Sequence, residues 1–384
     1  MRPTMLKATT AFAALALSLT AVPASAETFT ITGTKGTKIT AQAVADFSEP
    51  WAMTFLPDGT MLVTEKTGEL FHVTPDGKKF EVMGVPKVAY GGQGGFGDIV
   101  LHPDFATNQM IYISYAGGRG ASSGAEVDMA KLELNTKGGG KLSDIKRVWQ
   151  QTPKVTGRGH YSHRIAFGPK GSPHEGKMFI SSGDRQKLTP AQDMRSALGK
   201  LIRLNLDGSV PDDNPWADGS QGELAKTFWS IGHRNMLGLT FAPDGTLWSH
   251  EMGPRHGDEL NLIERGSNYG WPEVSNGDHY SGRSIPDHDT RPEFNAPEAW
   301  WSRSIAPSGL IIYSGDTLPG WKGDALIGGL RGQALVHVDI NGTSASEAER
   351  FEWGERIREV EQGPQGNVWV LEDNGRLVKL MPAG

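Results

Sequence analysis

Polar, glycine-rich segments recur at places where a predicted strand is about to begin or has just ended. Loops held by a rigid sheet are where binding and catalytic side chains usually lie. These segments supply histidine for proton transfer near neutral pH, arginine for binding anions and glycine for tight backbone paths. The candidate functional segments are Gly91–Gly97, Gly157–Arg164, Trp229–Asn235, His250–Glu259 and Glu355–Glu359.

Two histidines in the second segment, His160 and His163, allow several interpretations. A single histidine is most often a surface or structural residue. The pair could also bind zinc, but no third ligand stands at an informative spacing. The residues alone therefore leave the role of both histidines open.

Arg356 and Arg358 alternate along what looks like one strand or strand end. Side chains two residues apart on a strand share a face, so both guanidinium groups can face one pocket. Alternatively, both face solvent and pair with Glu355 and Glu359, an arrangement of little energetic value. The sequence pattern by itself does not choose between these two interpretations.

A weak internal repeat indicates how such segments are positioned. A hydrophobic residue, then Pro-x-Gly or a close variant, then a strand-like run recurs along the chain. The prolines lie 46, 66, 74 and 121 residues apart, at Pro57, Pro103, Pro169, Pro243 and Pro364. The last interval is about two periods long and contains a degenerate copy, which starts at Ser308. The repeat therefore has six units of roughly 60 residues.

Turn, strand, turn, strand at this period predicts an all-β protein, a six-bladed β-propeller. An early strand near Phe29–Ile31 would complete the last blade and protect its edge. A pair of sandwiched sheets is the alternative, but it predicts no regular spacing of the turns. In a propeller, loops from every blade meet at one end of the axis, so residues distant in sequence can line one pocket.

The first 26 residues have the features of a signal peptide. Arg2 and Lys7 precede an apolar run from Ala8 to about Leu19, and Ala24-Ser25-Ala26 is a cleavage site. The run is too short for a comfortable membrane span, although an N-terminal anchor is an alternative. We expect residues 27–384 to form one catalytic domain in the bacterial periplasm, with a secreted form as the alternative and no membrane span after cleavage.

The composition excludes several functional classes. The chain of 384 residues is 37% apolar and 21% charged, which indicates a globular protein. It has no cysteine, so disulfides, thiolate metal sites and cysteine nucleophiles are excluded. Loss of Arg2 and Lys7 from the 38 basic residues leaves 36 against 44 acidic ones, a net charge of −8. An acidic protein of this kind is a poor candidate for binding nucleic acid.

Longer motifs resemble a known family. They are Trp229–Asn235, Gly253–Pro272, and Leu198–Arg203 together with Pro211–Pro215. The pattern is similar to the soluble quinoprotein glucose/sorbosone dehydrogenases, and most of all to their aldose sugar dehydrogenase branch, from about Phe47 to Leu380. This resemblance implies a six-bladed propeller with pyrroloquinoline quinone (PQQ) and calcium as cofactors. It also implies oxidation of an aldose sugar at C1 to the lactone, with electrons passed to a small acceptor or a cytochrome.

The resemblance also implies catalytic roles. His160 would be the general base, and Asp184 would set its tautomer and stabilise the imidazolium. Arg234 would lie beside the reactive carbonyl of the quinone. The chain departs from the family in having Ser162 and His163 where relatives usually carry two glycines. His163 would then narrow the sugar entrance, or be the base itself.

For the cofactor, the resemblance implies neutral hydrogen bonds from some side chains and cationic contacts to the quinone carboxylates from others. Arg331 stands where relatives usually carry lysine, so its longer planar group could alter cofactor pose or affinity. The implied cofactor-binding residues are Gln93, Arg234, Asn235, Arg331, Arg356 and Arg358.

Two calcium sites are implied by the same resemblance. The carbonyl oxygens of Gly253 and Pro254 would bind the calcium next to the quinone. Glu259 and the carbonyl of Tyr269 would form a second, structural site, with Asp258 as the residue most easily confused with Glu259. Calcium prefers such oxygen ligands.

Two other functions remain as alternatives to the sugar dehydrogenase. A calcium-dependent lactonase on a propeller would need acidic and Asn ligands at the centre, and the arginine-rich loops argue against it. A non-catalytic binding propeller would require decay at His160 or at the arginine pair, and these residues are present. The loop Asn276–Pro297 is expected to form part of the rim.

Overall fold

The protein is built almost entirely from β-strands. The computed structural model describes residues 27–382, so the predicted signal peptide at 1–26 lies outside the described residues. Within 27–382, no helix has the length and apolar character needed to cross a membrane. The prediction of an all-β chain is therefore confirmed for this part of the protein.

The strands follow one another with few helical interruptions. The one α-helix among residues 27–382 is Phe105–Asn108, and short 3-10 helices lie at Thr189–Gln192, Leu224–Thr227 and His288–Thr290. The strands are β1 (Thr28–Thr32), β2 (Lys38–Asp46), β3 (Pro50–Phe55), β4 (Met61–Glu65), β5 (Glu69–Val73), β6 (Lys79–Met83), β7 (Phe96–Leu101), β8 (Met110–Arg119), β9 (Ser122–Leu134), β10 (Gly140–Gln150), β11 (Val155–Thr156), β12 (Ser162–Phe167), β13 (Lys177–Ser182), β14 (Lys200–Asn205), β15 (Phe228–Ile231), β16 (Met236–Phe241), β17 (Leu247–Glu251), β18 (Asp258–Leu262), β19 (Ala299–Trp301), β20 (Pro307–Ile312), β21 (Ala325–Gly329), β22 (Ala334–Asn341), β23 (Ser344–Glu352), β24 (Ile357–Gln362), β25 (Val368–Glu372) and β26 (Arg376–Pro382).

Most sheets are antiparallel runs of four strands in chain order. Such runs are β12 to β15, β16 to β19, and β20 to β23. A larger sheet has the order β3-β4-β5-β6-β10-β9-β8-β7, with β11 beside β9. It contains the antiparallel runs β3 to β6 and β7 to β10, which join through a two-residue parallel pairing of Gly140 with Val82 and Lys141 with Met83.

The first strands of these runs contact one another around a closed ring. β3 contacts β7, and the contacts continue through β12, β16, β20 and β24 back to β3. Apolar side chains fill the spaces between successive sheets. For example, Met53 and Val63 pack against Trp369 and Leu371 where the last sheet meets the first. Sheets arranged radially around an axis in this way form a β-propeller.

The predicted turns lie where the repeat places them. Pro57 lies between β3 and β4, Pro103 between β7 and β8, and Pro169 between β12 and β13. Pro243 separates β16 from β17, and Pro364 separates β24 from β25. Each turn therefore joins the first strand of a run to the second.

The N-terminal strands complete the final sheet in a way that the sequence only partly predicted. The predicted strand near Phe29 is β1, but β1 pairs with β2, and β2 in turn pairs with β26. Ile39 and Ala41 of β2 are fully buried in the core of this sheet. β2 lies next to β26 because the side chains of β2 fill this core.

Antiparallel pairing places the start of each first strand beside the end of the second strand. Pro50 at the start of β3 pairs with Glu65 at the end of β4, for example. The polar segments of the sequence occupy these positions. They are therefore brought to one end of the ring, around the axis.

Candidate active site

A cavity of about 370 Å³ lies at this end of the ring. It is lined by the starts of first strands and by the loops that follow second strands. Its lining residues are Glu49, Trp51, Lys66, Gly92, Gln93, Tyr161, Ser162, His163, Asn235, Leu237, Met252, Ala306, Leu330, Arg356, Arg358 and Asp373.

Arg356 and Arg358 share one carboxylate at the wall of this cavity. The Nε of Arg356 donates to Asp373 Oδ2 at 2.7 Å. Arg358 donates to Asp373 Oδ1 through Nε at 2.8 Å and Nη2 at 2.6 Å. Although burial raises it, the pKa of Asp373 is held below its ordinary value by the two arginines. The pairing with Glu355 and Glu359 that the sequence left open is not formed, because Asp373 follows β25 directly beside the start of β24.

The two guanidinium groups keep unused donors. Both Nη atoms of Arg356 and Nη1 of Arg358 make no hydrogen bond to a described residue. Lys66 adds a third cation to the lining, and its ammonium lies 3.7 Å from Glu49. Guanidinium donors of this kind bind carboxylates in a fixed geometry. The cavity can therefore hold an anionic group.

Gln93 and Asn235 provide neutral polar groups in the same cavity. Gln93 Oε1 accepts the backbone N–H of His160 at 2.6 Å. Asn235 is buried, and its Oδ1 accepts a hydrogen bond from the Ser162 hydroxyl at 3.2 Å. Both predicted residues thus lie beside the segment that carries His160.

His160 and Asp184 form a buried pair next to the cavity. The Nδ1 of His160 lies 2.7 Å from Asp184 Oδ1, and the histidine is 6% exposed. Its Nε2 has no hydrogen-bond partner among the described residues. Because Nδ1–H donates a hydrogen bond to the carboxylate, Nε2 is the unprotonated nitrogen, and its lone pair can accept a proton.

Asp184 is held by more groups than the histidine. The indole Nε1 of Trp271 donates to its Oδ2 at 2.8 Å, and the backbone N–H of Gln186 donates to Oδ1 at 2.8 Å. Burial raises the pKa of Asp184, but hydrogen bonds from His160 and Trp271 and the charge of Arg234 outweigh this effect. The pKa of Asp184 is therefore below its ordinary value. The carboxylate is therefore ionised and fixed in place.

The pKa of His160 is lowered. Burial is the main cause, and the positive charges of Arg234 and Arg185 act in the same direction, while the hydrogen bond to Asp184 opposes them. The imidazole is therefore neutral near pH 7, which is the form able to accept a proton.

Arg234 is fixed by backbone and aromatic contacts. Its Nη1 donates to the carbonyl of Met252 at 2.8 Å, and its guanidinium lies 5.2 Å from the ring of Trp271. Its backbone N–H donates to Glu251 Oε2 at 2.6 Å, while Oε1 of the same glutamate contacts His233 Nδ1 at 2.6 Å. Its buried Nε has no partner, so this arginine retains an unused donor.

A second, smaller cavity of about 10 Å³ lies beside the first. This volume is about that of one water-sized sphere. Met252 lines both cavities. The predicted calcium residues all line the small cavity, namely Gly253, Pro254, Glu259 and Tyr269.

The atoms around the small cavity suit a calcium ion in part. The carbonyl oxygens of Gly253, Pro254 and Tyr269 accept no hydrogen bond from a described residue. Oxygen donors without partners are ligands that calcium prefers. Glu259 instead lies 3.4 Å from the Nε2 of His288. Across residues 27–382, no group of three or more His, Asp or Glu side chains is placed to hold a metal ion, so carbonyl oxygens would have to contribute.

His163 lies in the floor of the main cavity rather than at its entrance. Its ring stacks on Trp51, with centroids 5.0 Å apart, and its side chain is almost fully buried. Burial and the charge of Arg164 lower the pKa of His163 to about 3. The expectation that it narrows the entrance is therefore not supported by its position, and no zinc-type cluster joins it to His160 among the described residues.

Arg331 is the predicted site residue that lies apart from the others. It is exposed and does not line the cavity, although its neighbour Leu330 does. The structure thus brings together Gln93, Asn235, Arg356 and Arg358 in one cavity. Arg234, His160 and Asp184 lie directly beside it.

The backbone around the histidine is strained. Half of the twelve non-glycine residues with positive φ in the described chain lie in 160–163 and 185–188. Such conformations persist where the surroundings fix them, and they cluster at functional sites. His160, at φ 48°, is held by Gln93 on one side and by Asp184 on the other.

Sequence reasoning did not identify several residues of the site. Trp271 was noticed within a motif, but its bond to Asp184 links positions 87 residues apart. Asp373 and Lys66 stand in ordinary turn sequences after β25 and β4. Both residues directly follow the second strand of a run and lie opposite the polar start of the first strand. This position is the signal that would have identified Asp373 and Lys66.

Residues 47–379 match the family model described as glucose/sorbosone dehydrogenase. The chain belongs to this family. It is therefore an oxidoreductase, as the resemblance implied. The aldose sugar dehydrogenase YliI of Escherichia coli is 38% identical over 347 residues, which cover 87% of this chain and 90% of that protein.

Solved structures of the family show the same fold. The apo form of the soluble aldose sugar dehydrogenase of Escherichia coli has a TM-score of 0.82 at 35% identity, covering 90% of this chain and 100% of the other. The PQQ-bound aldose sugar dehydrogenase of Streptomyces coelicolor has a TM-score of 0.71 at 26% identity, covering 94% and 99%.

Proposed function

We propose that the protein oxidises aldose sugars at C1 to the lactone with PQQ as its cofactor. The observation that carries the proposal is the neutral His160, with its free Nε2 and its carboxylate partner, beside a cavity whose cations have unused donors. The PQQ-bound relative from Streptomyces coelicolor supports the choice of cofactor.

The cavity residues fit an anionic quinone. Arg356 and Arg358 would bind its carboxylates through the donors that Asp373 leaves unused, with Lys66 adding charge. Gln93 and Asn235 would hydrogen-bond its polar edge. Arg331 would form an outer contact, since it is exposed beside Leu330 and forms no ion pair with a described residue.

His160 would accept the proton of the C1 hydroxyl at Nε2. Asp184 keeps the other nitrogen protonated and stabilises the imidazolium that results. When bound, the quinone would supply the acceptor for the hydride that leaves C1. Together with the hydroxyl proton taken by His160, two electrons and two protons leave the sugar as the lactone forms. Arg234, already fixed by Met252 and Trp271, would place positive charge where negative charge develops.

Calcium is the second proposed cofactor. The free carbonyl oxygens of Gly253 and Pro254 would bind an ion beside the quinone. Glu259 and the Tyr269 carbonyl would bind a structural ion once Glu259 turns from His288. All four residues line the same cavity, and its small volume has room for one of the two proposed ions.

The wider architecture follows from the same proposal. We infer six blades, formed by the three separate runs, the final sheet, and the runs β3 to β6 and β7 to β10 of the larger sheet. Residues 27–384 would form one domain, exported to the periplasm by the segment 1–26. Reduced cofactor would pass electrons to a small acceptor or a cytochrome.

A titration and a dye assay test the proposal. Purified apoprotein with PQQ and calcium should bind the quinone, seen by absorbance, and reduce a dye when aldoses are added. H160A should lower turnover by at least roughly a hundredfold while the quinone still binds. Absence of quinone binding by the parent protein would refute the proposal, and full activity of H160A would refute the role of His160.

The lactonase and the non-catalytic binding propeller remain testable by the same assay. The cavity lining has three cations against the two carboxylates Glu49 and Asp373, and this positive excess favours an anionic cofactor over a bare divalent ion at this position. Release of sugar acid from a lactone without any quinone would favour the lactonase. Absence of both quinone binding and lactone hydrolysis would favour the binding propeller, which is a propeller that has lost its cofactor.

A further inference from the structure

His163 is held in one orientation at the floor of the main cavity. Its Nδ1 lies 2.8 Å from the hydroxyl of Ser114, and its ring stacks on Trp51. The histidine has a φ of 66°. Gly97 leaves space for the ring, since a Cβ there would lie 1.9 Å from Cε1 of His163.

The hydrogen bonds of Ser114 determine which ring nitrogen carries the proton. The Ser114 oxygen accepts the backbone N–H of Asp98 at 2.9 Å. If Nδ1 of His163 also donated to this oxygen, the serine proton would have no acceptor among the described residues. The serine therefore donates to Nδ1, and the ring proton is on Nε2. The lowered pKa keeps the ring in this neutral form.

The Nε2–H group is a donor without a partner. It makes no hydrogen bond to a described residue, and it is absent from the fully buried unpaired atoms, so it reaches the cavity that His163 lines. Because this donor faces the cavity, a ligand bound there can supply its acceptor. Arg356 and Arg358 line the same cavity, so the acceptor would belong to the anion that they bind.

The geometry points to His163 as a further contact residue for the cofactor: its Nε2–H donates a hydrogen bond to an oxygen or ring nitrogen of the anionic quinone. This inference rests on the proposed function. Because the donor is neutral, its contribution should be insensitive to salt and to pH near neutrality, unlike that of the arginines.

Equilibrium titration of the apoprotein with PQQ in the presence of calcium tests the contact. H163F keeps an aromatic ring on Trp51 but removes the donor, and should weaken quinone binding about tenfold. H163Q restores an N–H donor and should bind within about threefold of the parent. Parent-like affinity of H163F would overturn the inference, as would an H163Q variant as weak as H163F.

Further measurements keep the inference separate from the proposed function. Nitrogen-15 NMR of the histidine-labelled apoprotein should show His163 as the Nε2–H tautomer between about pH 5 and 8. A Nδ1–H tautomer or a charged ring would overturn it.

H174F, at a histidine packed against Phe179 and Trp229 away from the cavity, is the control for the quinone titration and should titrate like the parent. Failure of the parent itself to bind PQQ would instead refute the proposed function, and with it the contact.

Discussion

At the scale of single residues, the site depends on a histidine whose two nitrogens have different environments. Nδ1 of His160 is committed to Asp184, which is itself fixed by Trp271 and by backbone N–H groups. Nε2 is free. Burial keeps the ring neutral, and the ionised carboxylate offsets part of the cost of protonating it. Asp184 thus fixes the orientation of the ring, while burial and the charges of nearby arginines lower the pKa of His160.

D184N should lower kcat by at least roughly a hundredfold, because the amide no longer stabilises the imidazolium or fixes the tautomer. The proposed mechanism requires neutral His160, so the acid limb of the pH profile should lie below pH 6.5 in the parent. Asp184 raises the pKa of His160, so its loss should move this limb to still lower pH. Profiles of kcat/KM against pH measure both effects, with D193N as the control. An acid limb that moves upward would contradict the assignment.

Arg358 and Arg331 should differ in their effect on the cofactor. R358A removes a mostly buried guanidinium of the cavity wall and leaves Asp373 partly unpaired, so quinone binding should weaken at least about tenfold. R331A removes an exposed group outside the lining and should change affinity by less than about threefold. Absorbance titrations compare the two. Equal losses would show that the exposed arginine reaches the cofactor.

At the scale of strands, the site is built by close approach between neighbouring runs. β7 passes directly over the start of β12, where Gly97 leaves space for the ring of His163. Beneath it, Arg164 lies between Asp98 of β7 and Glu359 of β24, and it also contacts the ring of Trp51. The floor of the cavity is therefore a packed layer shared by several strands.

G97A should disturb this layer. The added methyl group would lie 1.9 Å from Cε1 and 2.4 Å from Nδ1 of His163, so the ring must move. Overpacking of this kind should lower the free energy of unfolding by about 1–3 kcal/mol. Denaturant unfolding measures the loss, and the double variant G97A/H163G should recover much of it. No loss in G97A would mean that the two strands separate easily.

The strands and turns were more predictable than the contacts between side chains. Pro-x-Gly turns followed by strand-like runs are local signals, and they predicted the strand after each turn, which is the second strand of a run. β2 was missed, because its buried residues Ile39 and Ala41 are framed by polar ones without a turn motif. The family resemblance, rather than any local pattern, singled out Asp184. The shared contact of Asp373 with both arginines has no local signal at all.

At the scale of the whole molecule, opposite ends of the ring differ in charge. The cavity of the candidate site is lined by the three cations Lys66, Arg356 and Arg358 and by two carboxylates, Glu49 and Asp373. A cavity of about 410 Å³ at the other end is lined by three carboxyl groups, those of Asp98, Glu359 and Glu361, and by one cation, Arg164. Burial raises the pKa of Glu359 to about 7. An anionic cofactor of the kind proposed would therefore be favoured at the candidate-site end of this acidic protein.

Removal of residues 27–46 should destabilise the entire ring. The truncation deletes β1 and β2, exposes the edge of β26 and removes Ile39 and Ala41 from the core. We expect lower solubility and a Tm lower by more than about 10 °C, measured by circular dichroism. Removal of 27–33 alone, which deletes β1 but retains β2, is the control and should cost much less. Equal effects would show that β1, not β2, secures the final sheet.

The pairing of β2 with β26 joins the two extremes of the chain across more than three hundred positions. A chain emerging from a ribosome offers β2 early and β26 last. β1 and β2 can pair with each other at once, but the other edge of β2 must stay unpaired until β26 has been made. Any premature stop leaves a hydrogen-bonding edge open to another copy, so incomplete products should be prone to aggregation.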